Sequence, residues 1–209
     1  MIIRRFLAKK LGHPSGIFGR LLMKLLNKGN AGMNDFTFQQ LDLLSGDAVL
    51  EIGFGGGYLL EKIIQSQLPS RVVGIDPQVD VVNMGNKKFS KAIVRNLELQ
   101  QATGENLPYE DNTFTKICTV NTVYFWSDTQ MVLKECKRVL QPQGKLIICY
   151  NSAEFLEQAK LTQHGFMAYQ PEELESLMAS ADFVDVSTVT ADGGTGNGIF
   201  YCTSGLVKG

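Results

Sequence analysis

Apolar positions along this chain fall into two spacings that trade places. Residues 37–44 repeat apolar side chains at helical spacing and stop at Ser45-Gly46-Asp47. Residues 48–52 are a short apolar run leading into glycines, the pattern of a buried strand. Residues 58–65 return to helical spacing, and residues 71–75 form a second strand closed by Asp76-Pro77. Helical spacing recurs over residues 79–89, 129–140 and 171–181. Pro142 and Gly144 stop the second of these, and Pro171 sits near the start of the third. Residues 114–120, 145–150, 184–189 and 199–203 read as strands, while residues 92–99 fit helix or strand.

Strand–helix alternation predicts an α/β fold, a doubly wound and mostly parallel sheet with helices on both faces. The last two strands are separated only by Asp192-Gly193-Gly194-Thr195-Gly196-Asn197-Gly198. A connection that short cannot be a parallel crossover, so the last strand should run antiparallel.

Charge divides the chain. Of 20 basic and 21 acidic residues, seven basic and no acidic ones lie in residues 1–34. That leaves 13 basic against 21 acidic residues, net -8, on residues 35–209. Within the basic head, Ile17, Leu21, Leu22, Leu25 and Leu26 fall near helical spacing after His13-Pro14-Ser15-Gly16. Residues 1–34 are therefore read as a basic amphipathic helical lid on a domain of residues 35–209. Peripheral contact with an anionic membrane surface, contact with an acidic substrate, and a targeting segment are the other readings. No apolar stretch is long enough to span a bilayer, and no cleavable secretory signal is evident. The four cysteines form no CxxC pair, and three lie inside apolar runs. These features fit core thiols in a cytoplasmic protein. The weak net charge of -1 argues against a nucleic-acid partner.

Candidate chemistry begins where the first strand meets Glu51-Ile52-Gly53-Phe54-Gly55-Gly56-Gly57-Tyr58. Glycines there permit a tight turn and close approach by a ligand, and the following helix presents a positive N-terminus. The dinucleotide pattern G-x-G-x-x-G fails, because Tyr58 stands at its third glycine position. The pattern that fits is G-x-G-x-G at Gly53, Gly55 and Gly57. Asp76, 23 residues after Gly53, ends the second strand about where a ribose-binding acid belongs. It is also read as a plain strand-end turn before Pro77.

With these motifs in register, the chain resembles a class I S-adenosylmethionine-dependent methyltransferase, closest to the group of ubiquinone/menaquinone C-methyltransferases and small-molecule methyltransferases. The likeness rests on residues 49–57, on Val73-Gly74-Ile75-Asp76, on residues 105–114 and on residues 138–146, which occur in family order. It implies a Rossmann-like seven-stranded, mostly parallel sheet with the last strand antiparallel, and S-adenosyl-L-methionine as cofactor. It implies that Gly53, Phe54, Gly55 and Gly57 hold the methionine part with Glu51 in support, and that Asp76 binds the ribose. Pro77 and Gln78 would flank the adenine; Thr103, Gly104 and Glu105 would reach its edge. Asn121, Thr122 and Val123 would floor the site beside the sulfonium. The chain departs from the family at Thr103, where relatives usually carry an acid; Glu105 would substitute if the loop register shifts. It departs again at Thr115 and at Pro142-Gln143-Gly144.

Methyl transfer is an in-line displacement that needs positioning more than proton chemistry. Neither histidine has a partner at ligand spacing, so no metal is expected. On the acceptor side, Tyr124, also a catalytic candidate, and Trp126 either pack an apolar or planar acceptor or anchor the next helix, which Asp128 would cap. His164 is a candidate base or a structural loop histidine. Phe166, Met167 and Tyr169 line the same pocket or belong to the core. The expected acceptor is a small molecule or short peptide. A nicotinamide-dependent oxidoreductase and a non-catalytic cofactor-binding module remain the alternative readings.

Overall fold

The computed structural model describes residues 30–93, 95–158, 167–192 and 198–209. Most of the predicted lid, residues 1–29, lies outside them, as do His13, His164 and Phe166. The elements run α1 (Ala31–Leu41), β1 (Ala48–Ile52), α2 (Tyr58–Ser66), β2 (Arg71–Asp76), α3 (Val79–Lys88), α4 (Ser90–Ile93) and β3 (Leu97–Gln101). They continue with β4 (Phe114–Val120), α5 (Thr129–Val139), β5 (Leu140–Asn151), α6 (Ala153–Gln158), α7 (Pro171–Ser180), β6 (Phe183–Asp192) and β7 (Ile199–Val207). The seven strands form one sheet of order β3-β2-β1-β4-β5-β7-β6. Pairings from β3 through β5 are parallel; β7 is antiparallel to both β5 and β6, as the short connection requires.

Side-chain alternation sends each strand's residues to two cores. Leu50, Ile52, Val73 and Ile75 join Val132 and Leu133 of α5 and Leu174 and Met178 of α7 on one face. Val49, Val72, Cys118 and Cys149 join Met33 of α1, Leu59 and Leu60 of α2, and Val81 and Val82 of α3 on the other. Burial of each such side chain contributes about 1.5–3 kcal/mol. All four cysteines are buried free thiols.

Two element boundaries, those of α1 and of the α5–β5 junction, differ from the sequence pattern, each for a local reason. Helix α1 begins at Ala31, so residues 31–34 form its first turn. It stops at Leu41, where Asp42 turns left-handed at φ 45°, and Leu44, the last apolar residue of the pattern, is exposed. Residues 92–99 divide between α4 and β3. Helix α5 runs straight into β5, and Pro142-Gln143-Gly144 sits inside that strand rather than before it. There the pairing jumps from Phe114↔Leu140 to Lys116↔Lys145, because proline has no N–H for the ladder. Two caps follow the sequence: Asp128 accepts from the Met131 N–H, and Pro171 opens α7.

Candidate active site

The site lies at the carboxyl ends of the central strands, where open α/β sheets present a crevice. Between β1 and α2, Gly53, Gly55 and Gly57 all take positive φ, at 73°, 50° and 69°. The loop is pinned by the Gly53 N–H to Ile75 O at 2.8 Å and by the Gly57 N–H to Phe54 O at 2.7 Å. A Cβ on Gly53 would sit 2.4 Å from Thr122 Cγ2, and one on Gly57 would sit 2.6 Å from Phe89 Cε2. The loop is thus wedged between the β4 exit and α3. Phe54 turns inward, so only its backbone borders the loop; its ring approaches to 3.0 Å a Cβ built on Gly74 or Gly85.

Two carboxyls lie under this loop. Glu51 is 3% exposed, and its Oε2 has no hydrogen-bond partner. Burial pushes the Glu51 carboxyl up to about 8; the Leu60 N–H opposes that shift and nearby Asp76 adds to it. Asp76, at the end of β2, accepts from the Gly55 N–H at 3.3 Å and the Gln78 N–H at 3.0 Å. Burial raises its carboxyl above the usual range, and those two N–H groups oppose the shift. Lys88, which the sequence pattern did not single out, donates to Gly56 O at 3.2 Å and pairs with Glu61 at 2.9 Å. Its place in the last turn of α3 gave no motif to find it by.

Beyond β3, Gln101 Nε2 donates to Pro77 O at 3.0 Å and joins that strand end to the Asp76 turn. Gly104 is packed under α5, 3.0 Å from Val132 Cγ1 to its would-be Cβ. Thr103 is exposed and bridges to Asn106. Glu105 accepts from both the N–H and the hydroxyl of Ser127 at 2.9 Å. Burial raises its carboxyl, but these donors outweigh that and leave it below the usual range. Through Oε1, Glu105 thereby ties the loop after β3 to the loop after β4.

At the β4 exit, Asn121 takes φ 57° and acts as a hub. Its Oδ1 accepts from the Tyr124 hydroxyl at 2.9 Å and from Asn151 Nδ2 at 3.0 Å, and its Nδ2 donates to Met33 Sδ at 3.3 Å. The Tyr124 hydroxyl also accepts from the Asn151 N–H. Thr122 shares a hydrogen bond with Thr119, whose hydroxyl donates to Ile52 O at 2.8 Å. Val123 is wholly buried, so it offers only its backbone.

The aromatic run resolves against the acceptor-side expectation. Tyr124 is 2% exposed and Trp126 is 6% exposed, both in the core under α5, whereas Phe125, not singled out before, is 48% exposed. Burial pushes the Tyr124 phenol far up, with the Asn151 N–H opposing, so it is no base near neutrality. Both side chains are packed into the core in this structure. Tyr169 hydrogen-bonds Thr129 at 2.8 Å. With Met167, Ala168 and Glu172 it lines a cavity of about 770 Å³ along α7 that shares no lining residue with the glycine loop. Among the described residues, no three His, Cys, Asp or Glu side chains are grouped to hold a metal.

A glycine loop of this form, with an acid ending β2 on this strand order, defines the class I methyltransferase fold. Residues 50–148 match the family described as the methyltransferase domain. This match and the relatives below support a class I S-adenosylmethionine-dependent methyltransferase, the class whose cofactor is S-adenosylmethionine.

The uncharacterized methyltransferase YdaC of Bacillus subtilis is 29% identical over 125 residues, 60% of this chain and 67% of its own length. The ubiquinone/menaquinone biosynthesis C-methyltransferase UbiE of Hahella chejuensis is 31% identical over 115 residues, 54% of this chain and 46% of its own length. The chain therefore spans from under half to about two thirds of these relatives. A crystal structure of an S-adenosylmethionine-dependent methyltransferase from Aquifex aeolicus shares the fold at a TM-score of 0.72 and 21% identity, covering 88% of this chain and 96% of that one.

Proposed function

We propose that this chain transfers a methyl group from S-adenosylmethionine to a small molecule or short peptide by in-line displacement, mainly through positioning. The observation that carries the reading is the pair of buried carboxyls flanking a left-handed glycine loop. The unpartnered oxygen of Glu51 fits the α-ammonium of the cofactor's methionine part, which would lie along Gly53, Gly55 and Gly57. Asp76 fits the ribose hydroxyls, with Pro77 and Gln78 beside the adenine and Thr103 and Gly104 at its edge. Asn121, Thr122 and the Val123 backbone would floor the sulfonium end. When bound, the cofactor supplies an activated methyl group, so the protein's own work is to align the acceptor and exclude water.

Acceptor contacts fall to Phe125 and Tyr169, together with His164 and Phe166 outside the described residues. Residues 1–34 are part of the same reading. Met33, in the first turn of α1, touches Asn121, so the described end of this segment, residues 30–34, lies beside the floor of the site. That supports a covering role for it, with contact to an anionic membrane surface as a second role, in a cytoplasmic protein. Among the described residues, no helix is long and apolar enough to cross a membrane.

The test is calorimetric titration with S-adenosylmethionine, S-adenosylhomocysteine and NAD, beside Asp76→Ala. Charged hydrogen bonds contribute about 1.5–3 kcal/mol each, so the variant should weaken binding of the first two by about tenfold or more. Binding of NAD alone would overturn the reading in favour of an oxidoreductase. Unaltered affinity in the variant would remove Asp76 from the site.

A further inference from the structure

Resting on that reading of the cofactor site, we propose that cofactor capture expels a proton and that the proton comes from the Glu51 side chain. The argument starts from what surrounds this carboxyl. It is 3% exposed, one oxygen has no partner, and the Leu60 N–H at the start of α2 is its one polar support. From β2 it faces Asp76, a like charge. Lys88, on α3, attracts it only weakly, because that ammonium already pairs with Glu61 and with the carbonyls of Gly56 and Gly57. Cys118, its partner in register on β4, is a neutral thiol pushed well up by burial. Gly74, its partner on β2, has no side chain, and the buried face of α1 carries no charge. A desolvated carboxyl beside a second acid, with no free cation near it among the described residues, holds its proton at neutral pH.

The ligand changes that balance. An α-ammonium brought to the unpartnered oxygen favours the carboxylate, so the O–H bond of Glu51 breaks and its proton leaves for solvent. Two dissociable protons, one on each partner, thus enter and one remains. With the carboxyl shifted to about 8 and the ligand's α-amino group still protonated, release should approach one proton per ligand between about pH 6 and 7. Affinity should then tighten by up to about tenfold per pH unit over that range. The residue thereby reads the amino-acid arm: a nucleoside thioether lacking that arm has no cation to offer it.

The experiment is calorimetric titration of the full chain with S-adenosylhomocysteine at pH 6.8, in buffers that differ in ionisation enthalpy. The dependence of apparent enthalpy on buffer gives the proton count. The expected result is about one proton released by the wild type and about none by Glu51→Gln. 5′-Methylthioadenosine, which lacks the arm, should release about none from the wild type; this comparison stands even if the variant does not fold. Binding without proton release in the wild type overturns the inference and leaves the cofactor reading intact. Equal release in Glu51→Gln, or equal release with 5′-methylthioadenosine, overturns it too. No binding of either S-adenosylmethionine or S-adenosylhomocysteine would overturn the cofactor reading itself, and the inference with it.

Discussion

Replacing Gly53 by alanine would load two separate costs onto one atom. The first is conformational. At φ 73° a Cβ crowds the backbone, at about 1–2 kcal/mol for an ordinary residue in the left-handed region. The second is steric, since the new carbon would lie 2.4 Å from Thr122 Cγ2, about 1 Å inside ordinary contact. Thr122 cannot easily turn away. It is β-branched, and its hydroxyl is held by Thr119, itself bonded to Ile52 O. Overpacking of this kind costs about 1–3 kcal/mol. Gly53→Ala should therefore lose about 2–5 kcal/mol in urea unfolding.

Thr122→Ser separates the two costs, because it deletes the obstructing methyl and keeps the hydroxyl. By itself it should cost about 0.5–1.5 kcal/mol. In the Gly53→Ala background it should return the steric part and leave the conformational part, giving a coupling of about 1–3 kcal/mol in a double-mutant cycle. Additive effects within about 0.5 kcal/mol would refute the contact with Thr122 as the limiting one. A Gly53→Ala protein as stable as the wild type would refute the left-handed loop itself.

Three further outcomes follow from the same geometry. Tyr124→Phe should lower stability by about 0.5–1.5 kcal/mol in urea unfolding by removing a hydroxyl bonded to Asn121 Oδ1 and the Asn151 N–H, and an unchanged midpoint would show that the hydroxyl ties nothing. Trp126→Ala should cost about 3–5 kcal/mol, whereas Phe125→Ala should stay within about 0.5 kcal/mol; similar losses would contradict their opposite burial. For Glu51, the folded carboxyl is raised to about 8 from an ordinary 4.5. Folding therefore favours the protonated form: this stabilisation is present below pH 4.5 and is lost as pH rises through 8. Cofactor-free wild type should lose up to about 1.4 kcal/mol per pH unit relative to Glu51→Gln across that window, and parallel stability curves would refute it.

The pattern of residues carried the sheet further than the site. Strands β1 and β4 could be bounded from sequence because each is a compact apolar run flanked by polar or glycine residues, and the hairpin sense of β7 followed from connection length. Helix α1 was misplaced at both ends. Leu44 keeps helical spacing without being buried, and the charge boundary at residue 34 falls inside a helix whose Met33 belongs to the core. Pro142 and Gly144 read as a stop because a bulge and a terminus use the same residues. At the site, the glycines and Asp76 were legible because backbone geometry and a strand-end acid leave local signatures. Residues 123–126 are aromatic or β-branched throughout, so no period told the exposed Phe125 from the buried Tyr124 and Trp126. Asn151 joins Asn121 across 30 positions, a pairing that exists only once β4 and β5 lie side by side.

The strand order carries a consequence for how the molecule is made. Strand β7, which follows both β5 and β6 in sequence, is an interior strand, inserted between them. Until residues 199–207 have left the ribosome, β5 ends the nascent sheet with an open edge, and β6 has no partner to join. Strand β7 is thus a keystone, set after both of its neighbours and bearing load on both sides. A nascent chain stalled or truncated before it would expose two unpaired strands, the kind of edge that recruits another copy and aggregates.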